Sequence, residues 1–115
     1  MRRVILESPY RGKNSVETER NVTYAKACIR DSLARGEAPL ASHLLYTHRG
    51  ILKDTHQSNR KMGMNAGWAW YPVAEACVVY TDCGISEGMQ MGMEEAKIHG
   101  VPIEERSIAA NALKK

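Results

Sequence analysis

Apolar positions 4–6, Val-Ile-Leu, stand between Arg2-Arg3 and Glu7, a run too short for a helix and suited to a strand buried on both faces. A second run of this kind, Cys77-Val78-Val79-Tyr80, lies in the last third of the chain. Between them the period lengthens. Asn21, Tyr24, Ala25, Cys28, Ile29, Ser32 and Leu33 recur at helical spacing, which predicts a helix over residues 16–35, capped by Ser15 and closed by Gly36, with Glu17 and Glu19 in its first turns. After Ala38-Pro39, residues 40–46 start as a second strand and turn helical or irregular near Ser42-His43. Asp54 or Thr55 can cap a further helix over residues 56–70. Gly63 and Gly67 inside it cost roughly 1 kcal/mol each relative to Ala, so they point to close packing against another element or a partner subunit.

Residues 76–102 form the best-defined unit. The Cys77–Tyr80 run leads into Asp82 and the turn Cys83-Gly84-Ile85. Ser86 then takes the N-cap position of a helix that ends at His99-Gly100, and Val101-Pro102-Ile103 begins another extended run. Strand, glycine turn, helix, strand is a βαβ unit, with its site-forming loop at the carboxyl end of the first strand. Residues 103–108 carry charges as an edge strand does, and residues 109–115 read as a short helical tail. Strands alternating with helices predict an α/β fold with a short, mainly parallel sheet in one domain, residues 1–115.

The two loops after the apolar strands carry the candidate chemistry. Ser8-Pro9-Tyr10-Arg11-Gly12 gathers a hydroxyl, a phenol, a guanidinium and a glycine directly after a buried strand, where an open α/β sheet binds its ligand. At Ser86 the unpaired N–H groups and the positive end of the helix dipole favour an anion, and Gly84 and Gly88 leave room for one. A plain Ser-Pro turn and a plain serine cap are the alternatives. Asn21, facing inward near the first loop, needs a backbone or ligand partner. Trp68, Trp70 and Tyr71 form an aromatic patch whose readings are core, then subunit interface, then base-stacking platform.

Composition narrows the classes. A net charge of +3 with both signs interspersed does not make the clustered basic face of a nucleic-acid binder. No apolar run is long enough to span a membrane and no signal peptide is visible, which leads to an expectation of a cytoplasmic protein. Three cysteines without a C-x-x-C pair fit a reducing compartment, and four histidines lack zinc-site spacing, so neither a metal nor a cofactor is expected.

SPYRG after the first strand, SHLLY in the second quarter, and VVYTDCGISEGM followed by AKIHGVP resemble a family of small, mostly phage-encoded uncharacterised proteins, over nearly the whole chain. That family looks like a branch of the nucleoside 2-deoxyribosyltransferase-like superfamily. The resemblance implies a small Rossmann-like three-layer sandwich that binds a nucleoside or its monophosphate. Tyr10 would help hold the sugar, and Ser86 and Gly88 the 5′-phosphate. It also implies a nucleophilic glutamate on the last helix. Counting back from Gly100-Val101-Pro102 puts that position at Gly92, on the face shared with Met89, Met93 and Ala96.

With no side chain there, the expectation is a binder of a nucleotide or ribosyl-phosphate. Its contacts would come from Ser8, Tyr10, Arg11, Gly12, Asn21, Ser42, His43, Asp82, Gly84, Ser86, Gly88 and Met89. For a phage protein in the host cytoplasm, one use is to sequester a nucleotide-derived defence signal. The alternative is an N-glycosidase or deoxyribosyltransferase that uses Asp82 or Glu87. A homo-oligomer is expected under either, because so short a chain leaves apolar faces uncovered.

Overall fold

The computed structural model describes residues 1–53 and 56–108; the expected caps Asp54 and Thr55 and the expected helical tail lie outside them. Four strands, β1 (Arg2–Glu7), β2 (Glu37–Leu40), β3 (Ala76–Tyr80) and β4 (Ile103–Arg106), form a fully parallel sheet in the order β2-β1-β3-β4. Helix α1 (Ser15–Ala34) joins β1 to β2. A short α2 (Ser42–Leu45), then α3 (Gln57–Trp68) and a 3-10 turn (Tyr71–Val73) lead to β3, and α4 (Glu87–Ile98) leads to β4. This is the parallel α/β arrangement that the pattern of strands and helices predicts, in the small Rossmann-like form that the resemblance implies.

Period-two alternation sends β1 and β3 side chains to opposite faces. Val4, Leu6, Val78 and Tyr80 pack with Cys28 and Ile29 of α1, while Ile5, Cys77 and Val79 pack with Tyr71 and with Met89 and Ala96 of α4. All five residues of β3 are buried, as a strand covered on both faces requires. The aromatic patch divides: Tyr71 is wholly buried, Trp68 packs partly on the core, and Trp70 is exposed.

Three boundaries differ from expectation. Asn14 caps α1, its side chain accepting from the Glu17 N–H, one residue before the expected Ser15. The second strand occupies residues 37–40 rather than starting at 40, because Glu37 is drawn into an ionic cluster and β2 is an edge strand, where the missing N–H of Pro39 is tolerated. The third helix stops at Trp68, and Gly67 lets it close on α2: a Cβ there would meet Ser42 Oγ at 2.3 Å. Charge ties β1, β2 and β4 together. Glu37, 4% exposed, accepts from Arg2, Arg106 and Ser32, and Arg2 and Arg106 both reach Glu104.

The arginines hold Glu37 down to about 2, so its contribution to stability is present above the ordinary 4.5 and is lost as pH falls toward 2. Arg106→Ala is expected to lower the unfolding free energy at pH 7 by about 3 kcal/mol, since it strips a buried carboxylate of its bidentate partner. In denaturant titrations the gap between wild type and variant should narrow below pH 4.5.

Candidate functional site

The sheet order reverses direction between β1 and β3: the chain leaves β1 toward β2 on one side and later returns to place β3 on the other. Loops following two such strands diverge and leave a crevice at their carboxyl ends, where open α/β sheets hold ligands. A cavity of about 380 Å³ lies there. Its lining comes from Glu7 and Ser8 at the end of β1, the loop 10–13, Ser42 and His43 of α2, Tyr46, Leu52, the Arg60–Trp68 side of α3, and residues 86–89.

Each wall is fixed by identifiable contacts. The loop after β1 folds down onto the start of α1: the Gly12 N–H donates to Thr18 Oγ1 and the Lys13 N–H to Glu17 Oε1. A Cβ on Gly12 would lie 2.5 Å from Glu17 Cβ, so only glycine permits this approach. Asn21 donates to the Tyr10 carbonyl at 2.9 Å, so its inward amide finds a backbone partner and supports the loop from outside the cavity. Ser86 caps α4, its oxygen accepting from the Met89 N–H at 3.2 Å. Ser86 lines the cavity, and accepting this bond leaves its hydroxyl proton available to donate.

The crevice thus gathers Ser8, Tyr10, Arg11, Gly12, Ser42, His43, Ser86, Glu87, Gly88 and Met89 from three separate stretches of chain. Asp82, Gly84 and Asn21 lie outside its lining. Asp82 works as a tether: it accepts from Tyr24 of α1, from Ser107 and from the Ile108 N–H, fastening the end of β4 beside the third strand's exit.

Glu7 is the residue that the sequence reading passed over. It closes β1 on the face covered by α4, and a Cβ built on Gly92 would lie 2.3 Å from its Oε2. The space opened by the glycine is therefore filled by a carboxyl group from the strand. The Tyr71 hydroxyl donates to Oε2 at 3.1 Å, and burial pushes this carboxyl up to about 8. Nearby, Ser8 Oγ and His43 Nε2 share a hydrogen bond of 2.7 Å, and burial holds the imidazole down to about 4, so it is neutral at pH 7. The charged groups of the lining, Arg11, Lys13, Arg60, Glu17 and Glu87, are carried by its loops and helices, while the Glu7 and His43 side chains between them are held uncharged. Among the described residues no cluster of His, Cys, Asp and Glu could hold a metal ion, and no helix is long and apolar enough to cross a membrane.

Comparison with known proteins bears on this geometry. A family model described as a domain of unknown function (DUF7768) matches residues 2–106. No curated protein matches the chain. Among solved structures, the 2-deoxyribosyltransferase of the psychrotolerant bacterium Bacillus psychrosaccharolyticus is similar with a TM-score of 0.62 at 16% identity, over 92% of this chain and 72% of that one. The likeness establishes a nucleoside 2-deoxyribosyltransferase-like fold.

The two shifted groups act on stability in opposite senses. Folded Glu7 keeps a proton that the unfolded chain releases above 4.5, so stability is lost as pH rises from 4.5 to about 8. Folded His43 refuses a proton that the unfolded chain takes below 6.5, so stability is lost as pH falls from 6.5 to about 4. Thermal melts should therefore show Glu7→Gln gaining on wild type as pH rises from 5 to 8. His43→Gln should gain on wild type as pH falls from 6.5 to 4. Parallel melting curves for wild type and both variants would contradict the assignment.

Proposed function

The chain belongs to the family described as a domain of unknown function (DUF7768), and we propose that it binds a nucleotide or ribosyl-phosphate small molecule between the loops that follow β1 and β3. The observation that carries this reading is the make-up of the crevice. Arg11, Lys13 and Arg60 meet the first turn of α4 around one cavity, and cations with helix-terminal N–H groups suit a phosphate. Tyr46, Leu52, Met64 and Trp68 give the same cavity an apolar, aromatic wall against which a base can lie. Its volume falls within the roughly 300–1,000 Å³ typical of small-molecule sites. A nucleoside-type ligand is also what the fold shared with a 2-deoxyribosyltransferase supports.

A chain that only holds such a ligand acts by withdrawing it from solution. For a phage-encoded protein working in the host cytoplasm, a nucleotide-derived signal of host defence is the corresponding cargo. A second reading is cleavage or transfer at the glycosidic bond of a deoxynucleoside monophosphate. The Glu7 carboxyl inside the cavity favours it, since glycosyl chemistry runs on carboxyl groups placed against the sugar.

Calorimetric titration with deoxynucleoside monophosphates and the matching nucleosides separates these readings. Arg11→Ala and Arg60→Ala should each weaken monophosphate binding by about tenfold, roughly 1.4 kcal/mol, and leave nucleoside binding nearly unchanged. Free base accumulating during the titration selects the enzyme; saturable binding with no base released selects the holder. Failure of every monophosphate to bind or to raise the melting temperature at millimolar concentration would refute both.

The chain is also proposed to self-associate. Met62 of α3, Trp70 between α3 and the 3-10 turn, Val73 of that turn and Ile98 of α4 are exposed apolar side chains. Light scattering at micromolar concentration should give at least twice the mass of one chain, and a clean monomer would refute it.

A further inference from the structure

The position of Glu7 carries an inference that rests on the reading of the crevice as a nucleotide site and sharpens it. The side chain lies between two elements that have made room for it. On one side Gly92 lets the carboxyl rest against the α4 backbone; on the other the Tyr71 hydroxyl donates to Oε2 at 3.1 Å. Tyr71 is the polar partner of this carboxyl among the described residues, and it is spent on one oxygen. Glu7 itself lines the cavity, and Tyr71 leaves its other oxygen, Oε1, available to a ligand there.

The groups that face the carboxyl are uncharged. The 3-10 turn offers the Tyr71 phenol, pushed upward by burial, and β3 offers the Cys77 thiol, pushed up to about 12. Helix α4 presents glycine, and His43 of α2, which lines the same cavity, is neutral and already bonded to Ser8. The charged residues of the wider lining are Arg11, Lys13, Glu17, Arg60 and Glu87. No ion pair joins any of those cations to Glu7 among the described residues, and the influences that set its ionisation are burial and Tyr71.

We propose that Glu7 meets the ligand as a neutral carboxylic acid, its Oε1–H donating a hydrogen bond to an uncharged acceptor atom of the bound molecule: a ring nitrogen, a carbonyl or a sugar hydroxyl oxygen. It is a recognition residue for the base-and-sugar part of the ligand, separate from the cations that suit the phosphate. With Oε2 taken by the Tyr71 donor, the acid proton is placed on Oε1. An ionised Glu7 would turn lone pairs toward the acceptor, lose the bond and leave a buried charge without a counter-ion. Burial keeps the acid form up to about pH 8, which makes the donor available at neutral pH.

The test is the pH dependence of the dissociation constant of wild type, Glu7→Gln and Glu7→Ala for the four deoxynucleoside monophosphates. Above pH 7 the ligand's phosphate has passed its second ionisation near 6, so its charge no longer changes. Wild-type binding should weaken by about tenfold between pH 7 and pH 9, as the free acid titrates near 8. Glutamine keeps an N–H donor that does not titrate, so Glu7→Gln should match wild type within a few-fold at pH 7 and stay flat to pH 9. Glu7→Ala should bind at least tenfold more weakly at pH 7.

A wild-type profile as flat as that of Glu7→Gln would overturn the proposal, as would a Glu7→Gln variant that folds but has lost tenfold or more of its affinity at pH 7. A readout without ligand stands beside these: the carbon-13 shift of the Glu7 carboxyl should titrate near 8, and a midpoint near 4.5 would overturn it. Monophosphate binding that ignores Glu7 refutes this inference alone. Absence of binding by every monophosphate removes the nucleotide reading and this inference with it.

Discussion

The reversal of strand order between β1 and β3 is the constraint on which the molecule depends. Parallel strands need right-handed crossovers, so stepping from β1 to β2 in one direction and from β3 to β4 in the other sends the connecting helices to opposite faces of the sheet. Helix α1 covers the Val4, Leu6 and Tyr80 face, and α4 covers the Ile5 and Val79 face. The exits of the two central strands then point away from each other and cannot close over the sheet edge between them. The lining of the candidate site lies in that gap.

Charge is distributed around the gap in a way that serves both folding and recognition. Outside its lining, Glu37, Glu104, Arg2 and Arg106 satisfy one another across three strands, and the carboxylates stay ionised because guanidinium groups face them. Within the cavity the logic inverts. Glu7 and His43 meet phenol, hydroxyl and glycine instead of counter-ions, and burial drives both toward their neutral forms. The same residue types therefore behave as fixed charges in one place and as neutral hydrogen-bonding groups in the other, decided by neighbours that come from other strands and helices.

That dependence on distant neighbours explains what the sequence made legible. The two apolar runs, the 3.6-residue stripe through Tyr24, Cys28 and Ser32, and the Ser86 cap are local signals, and the parallel α/β fold follows from them. The placement of both loops at one end of the sheet follows from parallel pairing. The ends of β2 and α3 did not follow, because Glu37 is held by residues 35 and 69 positions away and α3 is pressed onto α2 by Gly67. Asp82 looked like a site residue because it ends a buried strand, yet its oxygens are engaged by Tyr24, Ser107 and Ile108. Glu7 ends a buried strand as well and read as the polar stop of an apolar run. The vacancy at Gly92 was visible in the helical pattern; that a carboxyl from β1 occupies it emerges only when β1, β3 and α4 are assembled.

Gly12 offers a different kind of consequence. Its approach to Glu17 and Thr18 leaves no room for a methyl group, so the loop that bears Arg11 and Lys13 is clamped to the first turn of α1 rather than free to sweep the opening. A molecule entering the crevice meets a rim already in its final shape. The entropic toll of organising that rim was settled during folding, and selectivity at this edge arises from exclusion by a stiff outline more than from adaptation to whatever arrives.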